Sequence, residues 1–240
     1  MKKYTYVWVS LVILVFGIIF VPKIVDRISK GTIVENDRMN VKPKEAPLAY
    51  ITLNGKKKQV PSFDFINQDS VRVSNADFKG KVFVVEFFFT SCPSICPVMT
   101  ENLVVLQEEF KASENFGIAS FSITPDYDTP QVLKAYAKKY GIHDKDWHLM
   151  TGDKEQVYDL ANNGFNIFAA EMPDAPGGFE HSGLFALVDK EGYLRSRTDE
   201  FGNPIIYYRG AITEKKGVNE HGEKEQISAL KEDIKRLLAE

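Results

Sequence analysis

Residues 81–89, with the sequence KVFVVEFFF, place the strongest constraint on the fold of this chain. The stretch is almost entirely apolar and rich in β-branched and aromatic residues, which is typical of a strand buried on both faces of a sheet. Such a strand lies in the middle of a sheet that is covered by helices. We therefore expect strands and helices to alternate along the rest of the chain.

The surrounding sequence has this alternation. Strands are predicted by AYITLNG, SFDFIN, FGIASFSIT and WHLMTG, and a β-hairpin by HSGLFALVDKEGYLRSR. Helices are predicted by TSCPSICPVMTENLVVLQEEFKAS, TPQVLKAYAKKYG, DKEQVYDLANNGF and, at the carboxyl terminus, KEQISALKEDIKRLLAE. The order of these elements favours an α/β fold with a central mixed sheet flanked by helices.

The amino-terminal residues 1–23 predict a membrane anchor. Two lysines precede YTYVWVSLVILVFGIIFVP, which carries no charge, and Lys23 follows it. About 19 such residues in a helix span the roughly 30 Å hydrocarbon core of a bilayer. No small-residue cleavage site follows, and the leading lysines favour a cytoplasmic amino terminus. We predict one transmembrane helix in a bacterial inner membrane, with the rest of the chain facing the periplasm.

Residues 24–47 are charged, poor in aromatic side chains and without clean periodicity. This composition predicts a stalk, although an amphipathic helix on the bilayer surface remains an alternative. Residues 48–240 then form the folded domain. The net charge of −3 gives no support for nucleic-acid binding, and two cysteines exclude a disulfide framework or a four-thiolate metal site.

Cys92 and Cys96 follow the central strand in the sequence CPSICP. Proline is tolerated only in the first turn of a helix, so Pro97 predicts a helix start close to Cys96. Both thiols then lie at the carboxyl end of a buried strand and at the amino end of a helix. Free N–H groups and the helix dipole favour the thiolate at that position, and ligand sites are common there.

The three-residue spacing between the cysteines leaves three roles open. Two thiolates one helical turn apart can share a soft metal ion, and copper(I) suits two thiolates with one imidazole, whereas zinc normally takes a fourth ligand. The same separation permits a redox-active dithiol or a static disulfide. We favour the copper site over the redox pair, and the redox pair over a structural bridge.

His181 is the candidate third ligand. It ends the loop EMPDAPGGFE and directly precedes the strand SGLFALVD, which we expect to lie beside the cysteine-bearing strand. The Pro/Gly-rich loop predicts mobility for His181, which would help it to accept and release a metal. Met172 lies in the same loop and could add a thioether contact. The other histidines, His143, His148 and His221, are predicted to lie outside the site.

Three segments, FFFTSCPSICPVM, SITPDYDTP and FEHSGLFALVDKEGYL, resemble the membrane-anchored SCO/SenC proteins, which are copper chaperones for the CuA centre of cytochrome c oxidase. The resemblance runs from about residue 50 to the carboxyl terminus. It implies a thioredoxin-like fold with one copper ion, Cu(I) or Cu(II), bound by Cys92, Cys96 and His181. It also implies delivery of that ion to the CuA-bearing oxidase subunit, with other copper chaperones as further partners.

An enzymatic alternative remains open beside copper delivery. Cys92 and Cys96 could be the redox-active pair of a thiol–disulfide reductase that keeps the CuA cysteines of its partner reduced. A peroxidase-type thiol enzyme is a weaker third hypothesis. Because metal delivery needs reduced thiols, we expect the pair to cycle between dithiol and disulfide in either case.

The sequence departs from the resembled family at a few positions. Asp128 matches the family's acidic stretch, but Thr124 stands where aspartate is common, and Glu180 fills the acidic position before His181. We expect these differences to affect residues around the metal ligands or contacts with partners, rather than the ligands themselves. Residues 199–223 match no predicted element and have no assigned role.

Overall fold

The computed structural model describes residues 8, 11, 13–22, 47–199 and 201–240. The chain divides into two units, Met1–Ala46 and Pro47–Glu240. The described residues of the first unit are helical, and none of the helices in the described ranges has the length and apolarity required to cross a bilayer. The predicted anchor lies only partly within these ranges, and the predicted stalk, apart from residue 47, lies outside them.

The second unit contains the secondary structure that positions the site. Its strands are β1 (Ala49–Tyr50), β2 (Thr52–Leu53), β3 (Lys56–Lys57), β4 (Asp64–Asn67), β5 (Arg72–Ser74), β6 (Val82–Phe88), β7 (Phe116–Ser122), β8 (Trp147–Thr151), β9 (Ala169–Glu171), β10 (Phe179–His181), β11 (Leu184–Val188), β12 (Leu194–Ser196) and β13 (Tyr208–Arg209). Its helices are α1 (Cys96–Phe110), α2 (Pro130–Tyr140), α3 (Lys154–Asp159), a π-helical continuation at Leu160–Phe165, and α4 (Ile227–Ala239), with 3-10 turns at Asn75–Phe78 and Pro176–Gly178.

The main sheet is mixed, as the sequence predicted. Its strand order is β1-β12-β11-β6-β7-β8-β4-β5, and β13 pairs with β11 outside this path. The strands β6, β7 and β8 run parallel, whereas the other pairings in the sheet are antiparallel. The predicted neighbourhood of the hairpin strand and the cysteine-bearing strand is confirmed, because β11 pairs directly with β6.

The central strand β6 is buried along its whole length. Successive side chains of a strand point to opposite faces, and both faces of β6 are covered. The ring of Phe88 packs against Tyr136 on α2, with the ring centroids 5.5 Å apart. The ring of Phe87 packs against Phe165 in the π-helical turn, at 5.8 Å. Covering on both faces is why residues 81–89 are apolar without alternation.

The predicted helix boundaries are set by local chemistry. Thr129 caps α2 by accepting a hydrogen bond from the backbone N–H of Val132, and Pro130 occupies the first turn. Gly141 ends the same helix at φ 72°, a left-handed conformation that favours glycine. Asp153 caps α3 in the same way as Thr129 caps α2. These boundaries agree with the sequence prediction.

Part of the unassigned segment 199–223 belongs to the sheet. It contributes β13, in which Tyr208 is fully buried and pairs with Phe185 on β11. The side-chain amide of Asn102 on α1 donates hydrogen bonds to the carbonyl oxygens of Gly210 and Ile212, at 2.8 and 3.1 Å. The backbone that follows β13 is therefore hydrogen-bonded to α1, the helix that begins at Cys96.

Candidate metal centre

The two cysteines lie where the central strand meets helix α1. Strand β6 ends at Phe88 and α1 begins at Cys96, which confirms the helix start predicted from Pro97. The backbone N–H of Cys92 donates to the carbonyl oxygen of Phe89, so the connecting loop turns back on the strand end. Both thiols are buried, with 7% of Cys92 and 1% of Cys96 exposed, and they are not joined by a disulfide.

Asp128 holds the start of the cysteine loop in place. This fully buried carboxylate accepts hydrogen bonds from the backbone N–H and the hydroxyl of Thr90, and from the hydroxyls of Ser122 and Thr124. Thr90 lies two residues before Cys92, whereas Ser122 ends β7. The hydroxyl of Thr124 donates a hydrogen bond to Asp128. An aspartate at position 124 would instead place a second carboxylate beside that of Asp128. The sequence indicated an acidic position here but not this supporting role.

His181 reaches the cysteines from a β-hairpin. Strand β10, which His181 ends, pairs antiparallel with β9, and His181 lies opposite Ala169. The segment predicted as a mobile loop therefore contains a paired strand, because its Pro/Gly turn folds Phe179–His181 back onto Ala169–Glu171. Gly177 in the turn has φ 84°, and a Cβ there would lie 2.9 Å from the Phe89 ring. That close approach explains why the turn needs glycine.

Contacts at both ring nitrogens orient the imidazole of His181. Nδ1 lies 3.3 Å from the carbonyl oxygen of Ser182, which can only accept a hydrogen bond, so Nδ1 carries the proton. In the neutral ring Nε2 then keeps its lone pair, and it lies 3.0 Å from the sulfur of Cys96. The Phe89 ring packs edge-on against the imidazole at 5.8 Å. Such an orienting contact on the second nitrogen is typical of metal-binding histidines.

The structure brings together all three residues predicted to form the site. One sulfur from each of Cys92 and Cys96 and one ring nitrogen of His181 lie within 4.8 Å of one another, and all three residues are buried. Within the described ranges this is the one group of three or more metal-ligating side chains with that spacing. Two sulfurs and one imidazole nitrogen form a soft donor set that fits copper(I).

The other histidines are engaged elsewhere. The ring nitrogen Nδ1 of His143 donates to the carbonyl oxygen of Gly141, and its backbone N–H donates to the side-chain oxygen of Gln107. The ring of His148 lies beside Asn67. Burial lowers the pKa of His148. His221 lies on an exposed turn. None of the three belongs to the group at the cysteines.

The two thiols differ sharply in acidity. A hydrogen bond from the Cys96 side chain, with further contributions from Ser94 and the backbone N–H of Cys96, lowers the pKa of Cys92 to about 3. Burial raises the pKa of Cys96, and the negative charge of Cys92 raises it further. The pair therefore carries one thiolate, on Cys92, and keeps its remaining proton on Cys96. The predicted preference for thiolate holds for the first cysteine and fails for the second, because Cys96 lies deeper.

Comparison with known proteins identifies relatives of the chain. Residues 52–211 match the SCO1/SenC family. The SCO1 protein homolog of Bacillus subtilis (strain 168) is 34% identical over 136 residues, which cover 56% of this chain and 70% of that protein.

Two solved structures share the fold. The SCO1/SenC family lipoprotein from Bacillus anthracis str. Ames is 29% identical, with a TM-score of 0.62, over 76% of this chain and 96% of that one. BsSco, described as a member of the Sco family of cytochrome c oxidase assembly proteins with a disulfide switch, is 28% identical, with a TM-score of 0.59. That match covers 75% of this chain and 94% of BsSco.

Proposed function

The chain belongs to the SCO1/SenC family, and we propose that it is a copper chaperone that binds one copper ion as its cargo through Cys92, Cys96 and His181. The observation that carries this proposal is the buried group of two sulfurs and one imidazole nitrogen within 4.8 Å of one another. This donor set suits copper(I), whereas zinc normally requires a fourth ligand.

The three ligands differ in protonation before the ion binds. Cys92 is already a thiolate, because its pKa is about 3. His181 offers the lone pair of Nε2, since Nδ1 donates its proton to the carbonyl of Ser182. Cys96 must lose its proton when the metal binds, so copper loading releases protons and strengthens as the pH rises. Bound copper would supply the soft centre that joins the three donors.

The proposal extends to delivery of the ion. The cargo passes by ligand exchange to the CuA-bearing subunit of cytochrome c oxidase, and other copper chaperones load the protein. The support for this partner is that the related BsSco belongs to a family of cytochrome c oxidase assembly proteins. A buried pair of cysteines beside a solvent-facing cavity also suits exchange of a soft ion between proteins.

The location follows from the amino-terminal sequence. We propose that residues 1–23 anchor the chain in a bacterial inner membrane and that the folded unit faces the periplasm. Two lysines followed by an uncharged apolar run support this orientation. Membrane fractionation and protease treatment of spheroplasts test it: we expect the chain in the membrane fraction and its carboxyl-terminal part to be degraded from outside. Recovery in the soluble cytoplasmic fraction would refute the anchor.

An anaerobic competition titration tests the copper proposal. The reduced full chain is titrated with copper(I) against a chromophoric chelator, beside His181→Ala and the matched control His221→Ala, which changes an exposed histidine. We expect one copper per chain, an affinity at least about tenfold lower in His181→Ala, and no change in the control. Equal affinity in all three proteins would refute the three-ligand site.

The different acidities of the two thiols favour a second candidate function, thiol–disulfide exchange. Cys92 as thiolate would attack a disulfide of the partner, and Cys96 would then displace the mixed disulfide to leave a Cys92–Cys96 bridge and a reduced partner. A reductase needs the two cysteines, whereas a copper site also needs His181. Retention of reductase activity in His181→Ala, together with no copper binding by the unmodified chain, would favour this function.

A further inference from the structure

A cavity of about 420 Å³ gives access to the three-donor group from solvent. Cys92 and His181 both line it, whereas Cys96, 1% exposed, is absent from its lining. Of the three donors, a metal ion that arrives through this cavity therefore meets Cys92 and His181 before Cys96.

Met172 lines the same cavity. It follows the end of β9 in the hairpin that carries His181, and 39% of its surface is exposed. Its backbone N–H donates to the carbonyl of Gly178, and its carbonyl accepts from the N–H of Ala175, so the backbone is fixed while the side chain faces the cavity. The other described methionines, Met99 and Met150, are fully buried.

The chemistry of this cavity suits a soft cation in transit. A thioether is a neutral, polarisable donor that binds copper(I) without losing a proton, and it is displaced readily by thiolates. The carboxylates of Asp174 and Glu180 line the same cavity and attract cations toward it. Met172 therefore supplies a soft donor between solvent and the buried ligands.

We propose that Met172 is the protein ligand that copper(I) contacts first on loading and last on release. Its thioether binds the ion transiently as it passes between a carrier and the buried site. This inference rests on the proposed copper function. One bond from the carrier to copper(I) breaks as the bond to the Met172 sulfur forms. The remaining bonds to the carrier and the bond to the Met172 sulfur then break as the ion binds Cys92 and His181, and Cys96 loses its proton to solvent as the last bond forms. Copper stays in the +1 state, so the step needs no oxidant or reductant.

Stopped-flow transfer of copper(I) from its bicinchoninate complex tests the kinetic part of the proposal. The reduced full chain is compared with Met172→Leu, which removes the sulfur and keeps an apolar side chain of similar size. Phe168→Leu is the matched control, because Phe168 is exposed beside β9 but does not line the cavity. We expect transfer to slow by at least about fivefold in both directions in Met172→Leu only, with equilibrium affinity unchanged within about twofold.

Silver(I), a redox-inert probe, tests the contact directly. In a full chain with both cysteines changed to serine and the methionine methyl groups labelled with ¹³C, silver(I) should shift one methyl resonance that is missing in Met172→Leu. Equal transfer rates in all proteins, or an unshifted Met172 methyl, would overturn the proposal. A tenfold loss of affinity in Met172→Leu would make Met172 a permanent ligand and would also overturn it. Failure of the unmodified chain to bind copper would instead refute the proposed function on which the inference rests.

Discussion

Glu86→Gln should raise the free energy of unfolding at pH 8 and leave it nearly unchanged at pH 4.5. Glu86 lies on the central strand β6 and is 1% exposed. Its Oε1 accepts a hydrogen bond of 2.7 Å from the hydroxyl of Ser120, which in turn accepts one from the indole N–H of Trp147. Within the described part of the chain, Oε2 has no hydrogen-bond partner. Burial accordingly raises the pKa of Glu86 to about 7.

The size of the effect follows from proton linkage. In the unfolded chain Glu86 loses its proton near its ordinary pKa of 4.5, whereas the folded protein holds the proton up to about pH 7. Between these values the folded state binds more protons, so raising the pH favours unfolding. The full difference corresponds to about 3 kcal/mol. Glutamine has a similar shape and no charge, so the variant escapes this loss of stability.

Urea unfolding of the reduced full chain at pH 4.5 and pH 8 measures the difference. Glu101→Gln is the matched control, because Glu101 is an exposed carboxylate on α1. We expect the stability of Glu86→Gln relative to the unmodified chain to increase by about 3 kcal/mol between the two pH values, and that of the control to stay constant. The reasoning is wrong if the Glu86→Gln difference does not change with pH, or if this variant is the less stable protein at pH 8.

Three further predictions follow from individual contacts. Asp128→Ala removes the acceptor of four hydrogen bonds and should destabilise the protein by about 3 kcal/mol in urea unfolding. A loss of stability below about 1 kcal/mol would contradict the role of Asp128 in holding the cysteine loop. Gly210→Ala places a Cβ 2.6 Å from the Phe185 ring and should cost about 1–3 kcal/mol, so an unchanged urea midpoint would argue against that packing. Iodoacetamide should alkylate Cys92 at a nearly constant rate from pH 5 to pH 8, because the pKa of Cys92 is about 3, while Cys96 resists alkylation. A rate that rises tenfold per pH unit would contradict the low pKa of Cys92.

Much of the fold could be predicted because local sequence determines it. The apolar run at residues 81–89 has no alternation since both faces of β6 are covered, and Pro97 fixes the start of α1. Thr129 and Gly141 define the ends of α2 through a side-chain cap and a left-handed residue. Each of these signals depends on residues close together in the sequence, which is why reading the sequence recovers them.

The features that the sequence did not predict depend on contacts between residues far apart in the sequence. The carboxylate of Asp128 is bound by Thr90, 38 residues earlier, and nothing near Asp128 in the sequence identifies that donor. Strand β13 exists because Tyr208 is buried beside β11 and Asn102 holds the following backbone, although its own sequence is short and surrounded by turns. The acidities of the cysteines likewise depend on depth, which the spacing of the motif does not reveal.

X-ray absorption spectroscopy of the reduced full chain loaded with one copper(I) tests the central claim most directly, because it identifies the atoms bound to the metal. We predict two sulfur ligands and one imidazole, with the imidazole signal lost in His181→Ala and kept in His221→Ala. Copper bound by sulfur alone, or an imidazole signal that survives in His181→Ala, would contradict the assignment of Cys92, Cys96 and His181 as the copper site.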